Sequence, residues 1–143
     1  MLKYVLRKGI FMIKLNDIID ALEFVNIGME TYAYYNPKEN KIFYIDEYNT
    51  FDDNEDLIEE SISLPSKFYI DEYSMMEEFI ETVEDIKLYN QLCIAINGAG
   101  AFRRFKDTCI NFDIIDDWYK YRDEKYRELA INWCEENNIE YEE

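Results

Sequence analysis

The chain has 143 residues, 48% of them apolar and 17% aromatic, enough to bury a sizeable core and too much for a disordered chain. Its formal charge of −17 disfavours non-specific contact with nucleic-acid backbones or anionic membranes. It contains no histidine, which excludes His-based zinc sites, Ser/His/Asp triads and Cys/His dyads.

Four glycines and two prolines leave no linker, repeat or low-complexity tract. Residues 1–14 carry Lys3, Arg7, Lys8 and Lys14 and no acid, whereas residues 15–92 carry 20 acids against four bases. Arg7, Lys8 and Gly9 interrupt the opening apolar run before it reaches the length of a signal core or a membrane span. The expectation is a basic arm or start-site extension over 1–11, then a single α+β domain over 12–143, cytoplasmic and not membrane-bound.

Leu15, Ile18, Ile19, Leu22 and Val25 recur on one helical face, with Asn16 placed to cap and Asp17 and Asp20 near the positive end of the dipole. Two Tyr-, Ile- and Phe-rich runs follow, Thr31–Asn36 and Lys41–Tyr48, separated by the turn-forming 36–40 segment, and they predict an antiparallel hairpin. Residues 49–63 hold Asp52, Asp53, Glu55, Asp56, Glu59 and Glu60. A calcium loop starting at Asp52 would need Gly at its sixth position and Glu at its twelfth, where the chain has Leu57 and Ser63. The run reads as a solvated acidic face instead.

Ser74-Met75-Met76-Glu77 has the form of a capping box, and Met76, Phe79, Ile80 and Val83 continue it as a helix from about Ser74. Glu77, Glu78, Glu81 and Glu84 lie on its other faces; without a histidine one turn away, a solvated face outweighs a divalent-metal carboxylate enzyme using Glu77 and Glu81. Ile86, Leu88, Leu92, Cys93, Ala95 and Ile96 predict a largely buried helix stopped by Gly98. A short helix then starts near Ala101, with Phe102 and Phe105 directed to the core. Asp116 and Asp117 open the last and longest helix, with Trp118, Tyr126, Leu129, Ala130 and Trp133 as its apolar positions and Lys120–Glu124 and Asp123–Arg127 as i,i+4 pairs. Cys93, Cys109 and Cys134 lack metal-site or redox-pair spacing and read as reduced thiols.

The candidate site is Asn97–Asp107. Arg103 and Arg104 fall in the first turn of a helix, where the dipole disfavours cations, so something negative is required beside them. The sequence offers two sources: the protein's own carboxylates, which are favoured, or a phosphate or nucleic-acid ligand held by Gly98, Gly100, Arg103, Arg104 and Lys106, with Lys120 and Arg122 as outer cations. Gly98-x-Gly100 lacks the third glycine of a dinucleotide fingerprint, no P-loop Lys-Ser or Lys-Thr follows, and an RNA-recognition strand would need aromatics at Ala99 and Ala101.

The succession 16–23, Leu64-Pro65, 73–80, 97–107 and Trp118-Tyr119, above all the G-x-G-A-F-R-R-F-K element, resembles an uncharacterised family of small acidic bacterial proteins. The likeness runs over about 12–141 and implies a cytosolic bacterial protein; it carries over no catalytic residue. The fold expected is α+β: an N-terminal helix, a small antiparallel sheet, and a C-terminal helical half of about four helices. The function expected is a non-enzymatic interaction or regulatory module without cofactor or metal. Its acidic face, Asp52, Asp53, Glu55, Asp56, Glu59 and Glu60, would meet a basic protein partner, with nucleic acid disfavoured by net charge.

Overall fold

A computed structural model describes residues 12–143; the basic arm expected over 1–11 lies outside the described residues. The fold is α+β, with an N-terminal helix, a small antiparallel sheet and a helical C-terminal half. Its contacts group into two compact units, the described residues up to Ile70 together with Tyr126–Glu143, and Asp71–Lys125. Each unit is described by itself.

In the first unit, β1 (Ile13–Lys14) leads directly into α1 (Leu15–Ile27). Leu15, Ile18, Ala21, Leu22 and Val25 are buried, the stripe that the 3.6-residue period requires. The helix starts one residue before the predicted Asn16 cap, with Lys14 at the N-cap position and no side-chain capping bond. β2 (Tyr32–Asn36) and β3 (Lys41–Ile45) form the predicted hairpin, and β2 also pairs antiparallel with β4 (Ile62–Ser63), giving the order β3-β2-β4. Asn40 takes the left-handed conformation in the turn (φ 54°), where Asn is tolerated, and accepts the Tyr35 hydroxyl at 2.7 Å.

Period-2 alternation gives the hairpin two faces. Ala33 and Tyr35 are buried on one, where Tyr35 meets the Trp133 ring edge-on at 6.0 Å and Tyr44 packs on Phe24 of α1. Tyr32, Tyr34 and Phe43 lie on the other, with Phe51 set against Tyr32 and Tyr34. A 3-10 turn (Asp52–Asn54), α2 (Glu55–Glu59) and α3 (Lys67–Ile70) link this sheet to the second unit.

The second unit is helical: α4 (Glu72–Ile80), α5 (Ile86–Ala95), α6 (Ala101–Asn111) and the first part of α7 (Ile115–Glu136). Phe79, Phe105, Trp118 and Tyr121 form an aromatic cluster with centroid separations between 4.9 and 6.5 Å, mostly edge-on. The Trp118 indole N–H is buried there with no hydrogen-bond acceptor among the described residues. In the same unit, Arg122 meets Glu72 at 3.2 Å, with both side chains largely buried.

Three local expectations change. The cap of α4 is Asp71, in the left-handed region at φ 48°, which accepts Ser74 N at 3.3 Å and Ser74 Oγ at 2.5 Å; the helix therefore begins ahead of the Ser74–Glu77 box. α5 buries only the Leu88, Leu92 and Ala95 stripe and leaves Ile86 and Ile94 exposed. Phe105 is fully buried as expected, but Phe102 is 47% exposed.

α6 and α7 end alike. Asp113 (φ 59°) and Asn138 (φ 56°) supply the left-handed residue, and the next N–H returns 2.8 Å to the carbonyls of Cys109 and Cys134. After α7, which spans the boundary at Lys125–Tyr126, β5 (Tyr141–Glu142) pairs parallel with β1, an element the periodicity does not announce.

Candidate functional site

Two groups of residues were singled out in the sequence, one in each unit. In the second unit, α5 stops after Ala95, and Gly98 and Gly100 both adopt left-handed backbone, at φ 77° and 78°. α6 starts at Ala101, placing Arg103 and Arg104 in its first turn as the sequence requires.

Among the described residues, Arg104 is met by backbone carbonyls and not by a carboxylate. Its guanidinium reaches back over the end of α5 and donates from Nε to Ala95 O at 3.0 Å, from Nη1 to Ala99 O and from Nη2 to Asn97 O. The Tyr73 hydroxyl takes the intervening Ile96 carbonyl at 2.8 Å. Helix C-termini leave carbonyls without intrahelical partners and carry partial negative charge, and α5 has no basic residue in its own last turn. A cation misplaced on α6 is thus well placed for α5.

Gly98 and Gly100 lie in the turn that Arg104 spans, but the other cations of the group are turned elsewhere. Arg103 points outward, 90% exposed, with its Nε 4.0 Å from Asp107 one turn on. Lys106 is half-buried on the same helix. Of the outer cations, Arg122 is engaged with Glu72 and lies 3.7 Å from Asp123.

In the first unit, the acidic run is held in place by groups other than its acids. Asp46 Oδ1 accepts the amides of Tyr48 and Asn49, each at 2.8 Å, and Asn49 Nδ2 donates to Tyr44 O at 2.7 Å. Asn54 Nδ2 donates to Asn49 Oδ1 and Thr50 O. At the far end, buried Asn36 donates to Ser61 Oγ at 3.3 Å, and Ser61 Oγ donates to Leu57 O at 2.6 Å. Asp52, Asp53, Glu55, Asp56, Glu59 and Glu60 are all exposed, and among the described residues only Glu60 of the six has an ionic partner, Lys38 at 2.9 Å. Asp52 and Asp53 open the 3-10 turn and Glu55 and Asp56 open α2, where their charge favours the local dipole.

Near these acids, burial raises the Tyr34 hydroxyl above its usual range, with Tyr32 adding to the shift. Burial likewise raises Tyr44, reinforced by Asp20 and Asp17. The thiols of Cys109 and Cys134 are pushed up by burial to about 11 and about 12, with Glu135 adding to the second, so both are protonated and inert at neutral pH. At the C-cap of α4, Glu81 accepts the Tyr89 hydroxyl at 3.2 Å. Among the described residues no three Cys, Asp or Glu side chains are grouped so as to hold a metal ion, and no helix is long and apolar enough to cross a membrane.

Sequence reasoning missed the Arg104 clamp, because it sought a charged partner and a carbonyl leaves no mark in a sequence. It also missed an apolar groove in the first unit, about 410 Å³, lined by Gly28, Glu30, Thr31, Tyr32, Ser66, Lys67 and Phe68. The signal available was Phe68, apolar but two residues from the core residue Ile70 and so on another side of that helical turn; Met29 continues the spacing of the α1 stripe, and it is exposed because the helix has already ended at Ile27.

No solved structure matches the chain. A UPF0158 protein of Pseudomonas aeruginosa is 33% identical to it over 67 residues, which cover 46% of this chain and 44% of that relative, so the match spans less than half of either protein. The UPF0158 family model, described as an uncharacterised protein family, matches residues 9–142, and the chain belongs to that family.

Proposed function

We propose that the chain is a non-enzymatic interaction or regulatory module whose acidic face, Asp52, Asp53, Glu55, Asp56, Glu59 and Glu60, binds a basic protein partner. The observation that carries this reading is that amides and hydroxyls fix the segment, leaving six exposed carboxylates with one lysine among them. A rigid like-charged surface raises the encounter rate with a cationic partner and selects against anionic ones. Mimicry of nucleic acid toward a DNA- or RNA-binding protein is a special case of the same chemistry.

The other reading, a phosphate or nucleic-acid site at Gly98, Gly100, Arg103, Arg104 and Lys106, is the weaker one. The Arg104 donors are engaged by carbonyl oxygens, and an anion placed there would face those oxygens as well as the guanidinium.

The test is capture from a bacterial lysate by the wild type and by a variant carrying Asp→Asn and Glu→Gln at all six positions, with equal melting temperatures shown first. The expected result is a basic protein recovered by the wild type, lost from the variant, and released by salt. Recovery of the same proteins by both forms overturns the reading. Nucleic acid recovered by the wild type and lost from an Arg103→Ala/Lys106→Ala variant moves the assignment to the cationic segment.

A further inference from the structure

We infer that the groove beside Phe68 receives a basic amphipathic segment of a partner protein, its apolar side chains seated in the groove and its cations turned toward the acidic run. This rests on the acidic-face reading and deepens it by naming the form of the partner.

The groove lies at the end of α1. Gly28 follows the helix directly, Tyr32 opens β2, and Ser66, Lys67 and Phe68 come from the start of α3. Phe68, which lines it, is 94% exposed, and Met29, between the lining residues Gly28 and Glu30, is 90% exposed. Large apolar side chains this exposed at a groove point to a contact surface.

Charge selects the occupant. Tyr32 lines the groove, its ring lies 5.4 Å from the Phe51 ring, and Phe51 immediately precedes Asp52, so the groove and the acidic segment are joined through this ring pair within one unit. The last turn of α1 has no basic residue, which leaves the negative end of its dipole uncompensated by the helix itself, and Glu30 sits on the rim. Lys67 is the one cation among the lining residues, against Glu30 and the six carboxylates beyond Phe51. A segment with large apolar residues on one side and Lys or Arg on the other satisfies both surfaces, in the manner of a helix laid in a groove. An anionic or purely apolar segment satisfies one at most.

The probes are two peptides of about five helical turns and identical composition, one with leucines on a single face and lysines opposite, the other with the same residues permuted. Binding is read by fluorescence anisotropy. The expected result is at least a tenfold preference of the wild type for the amphipathic peptide. A Met29→Ser/Phe68→Ser variant, altered only at exposed positions, should lose that preference while binding the permuted peptide as before. The six-position charge-neutral variant should weaken both peptides. Equal wild-type affinity for the two peptides, or a preference that survives Met29→Ser/Phe68→Ser, overturns the groove assignment; the acidic-face reading then stands if charge neutralisation still weakens both peptides and falls if it weakens neither. Amphipathic-peptide affinity untouched by charge neutralisation overturns the basic character of the occupant.

Discussion

A Cβ placed on Gly100 would stand 2.9 Å from Nη1 of Arg104, so the guanidinium occupies space that only glycine leaves open. Gly100 also needs its positive φ of 78° for α6 to start where it does. The glycine and the arginine four residues later are parts of one device: the first makes the turn, and the second caps the helix before it.

Arg104→Ala is expected to lower the unfolding free energy by about 1–3 kcal/mol, since it removes three donors from a partly exposed set of carbonyls. Arg104→Lys should recover less than half of that, because an ammonium cannot match a planar fork spanning three acceptors. Gly100→Ala should cost about 1–2 kcal/mol from left-handed strain, plus any displacement of the guanidinium. Arg103→Ala should stay within about 0.5 kcal/mol. Urea unfolding measures all four, and an Arg104→Ala no worse than Arg103→Ala would remove the clamp from the account.

The cap of α4 separates two accounts of its start. With Asp71 as N-cap, Asp71→Ala should cost about 1 kcal/mol or more and Asp71→Gly much less, since glycine accepts φ 48° without strain. Glu77→Ala should be near neutral. A large loss at Glu77 with none at Asp71 would restore the Ser74–Glu77 box.

The two tryptophans should respond differently to phenylalanine. Trp133 Nε1 donates to Ser63 O at 2.8 Å, whereas the Trp118 N–H is buried with no acceptor among the described residues. Trp133→Phe strands a carbonyl as well as losing volume; Trp118→Phe loses volume but also discards an unsatisfied donor. We expect Trp133→Phe to be the more costly by about 1 kcal/mol in chemical denaturation. The reverse order would mean that Trp118 has a favourable partner.

Alkaline pH should destabilise the protein through its buried thiols. Cys109 and Cys134 stay protonated to about 11 and about 12 when folded, against an ordinary value of 9.0. Above about pH 9 the unfolded chain therefore holds fewer protons than the folded one, and stability falls with rising pH by up to about 1.4 kcal/mol per unit for each thiol. Between pH 9 and 10, Cys109→Ala and Cys134→Ala should each flatten the slope, and the part that remains falls to Tyr34 and Tyr44, which burial also raises. An unchanged slope in both variants would show that the thiols are not its source.

The elements were largely legible because they rest on local periods. The Leu15–Val25 stripe, the Tyr32–Ile45 hairpin and the long α7 each repeat apolar residues at the spacing their backbone demands, and the structure keeps them. What was not legible depends on a residue's distant surroundings. Phe102 and Phe105 share a plausible face, yet only Phe105 reaches the aromatic cluster of Phe79 and Trp118, while Phe102 stays at the edge beside Tyr73. Asp71 was passed over as a cap because its left-handed backbone is not written in the residue type. Arg104 showed the need for negative charge but not its source, since a partial charge on a helix end belongs to the fold rather than to any side chain.

The boundary within α7 at Lys125–Tyr126 has an experimental consequence. It assigns Trp118 to one compact unit and Trp133 to the other, and these are the two tryptophans of the chain. Each unit thus contains its own fluorophore, one in an aromatic cluster and one on a backbone carbonyl. A pair of single-tryptophan proteins would report the melting of each unit separately: coincident curves would make the molecule a single cooperative body, and separated curves would assign each unit its own stability.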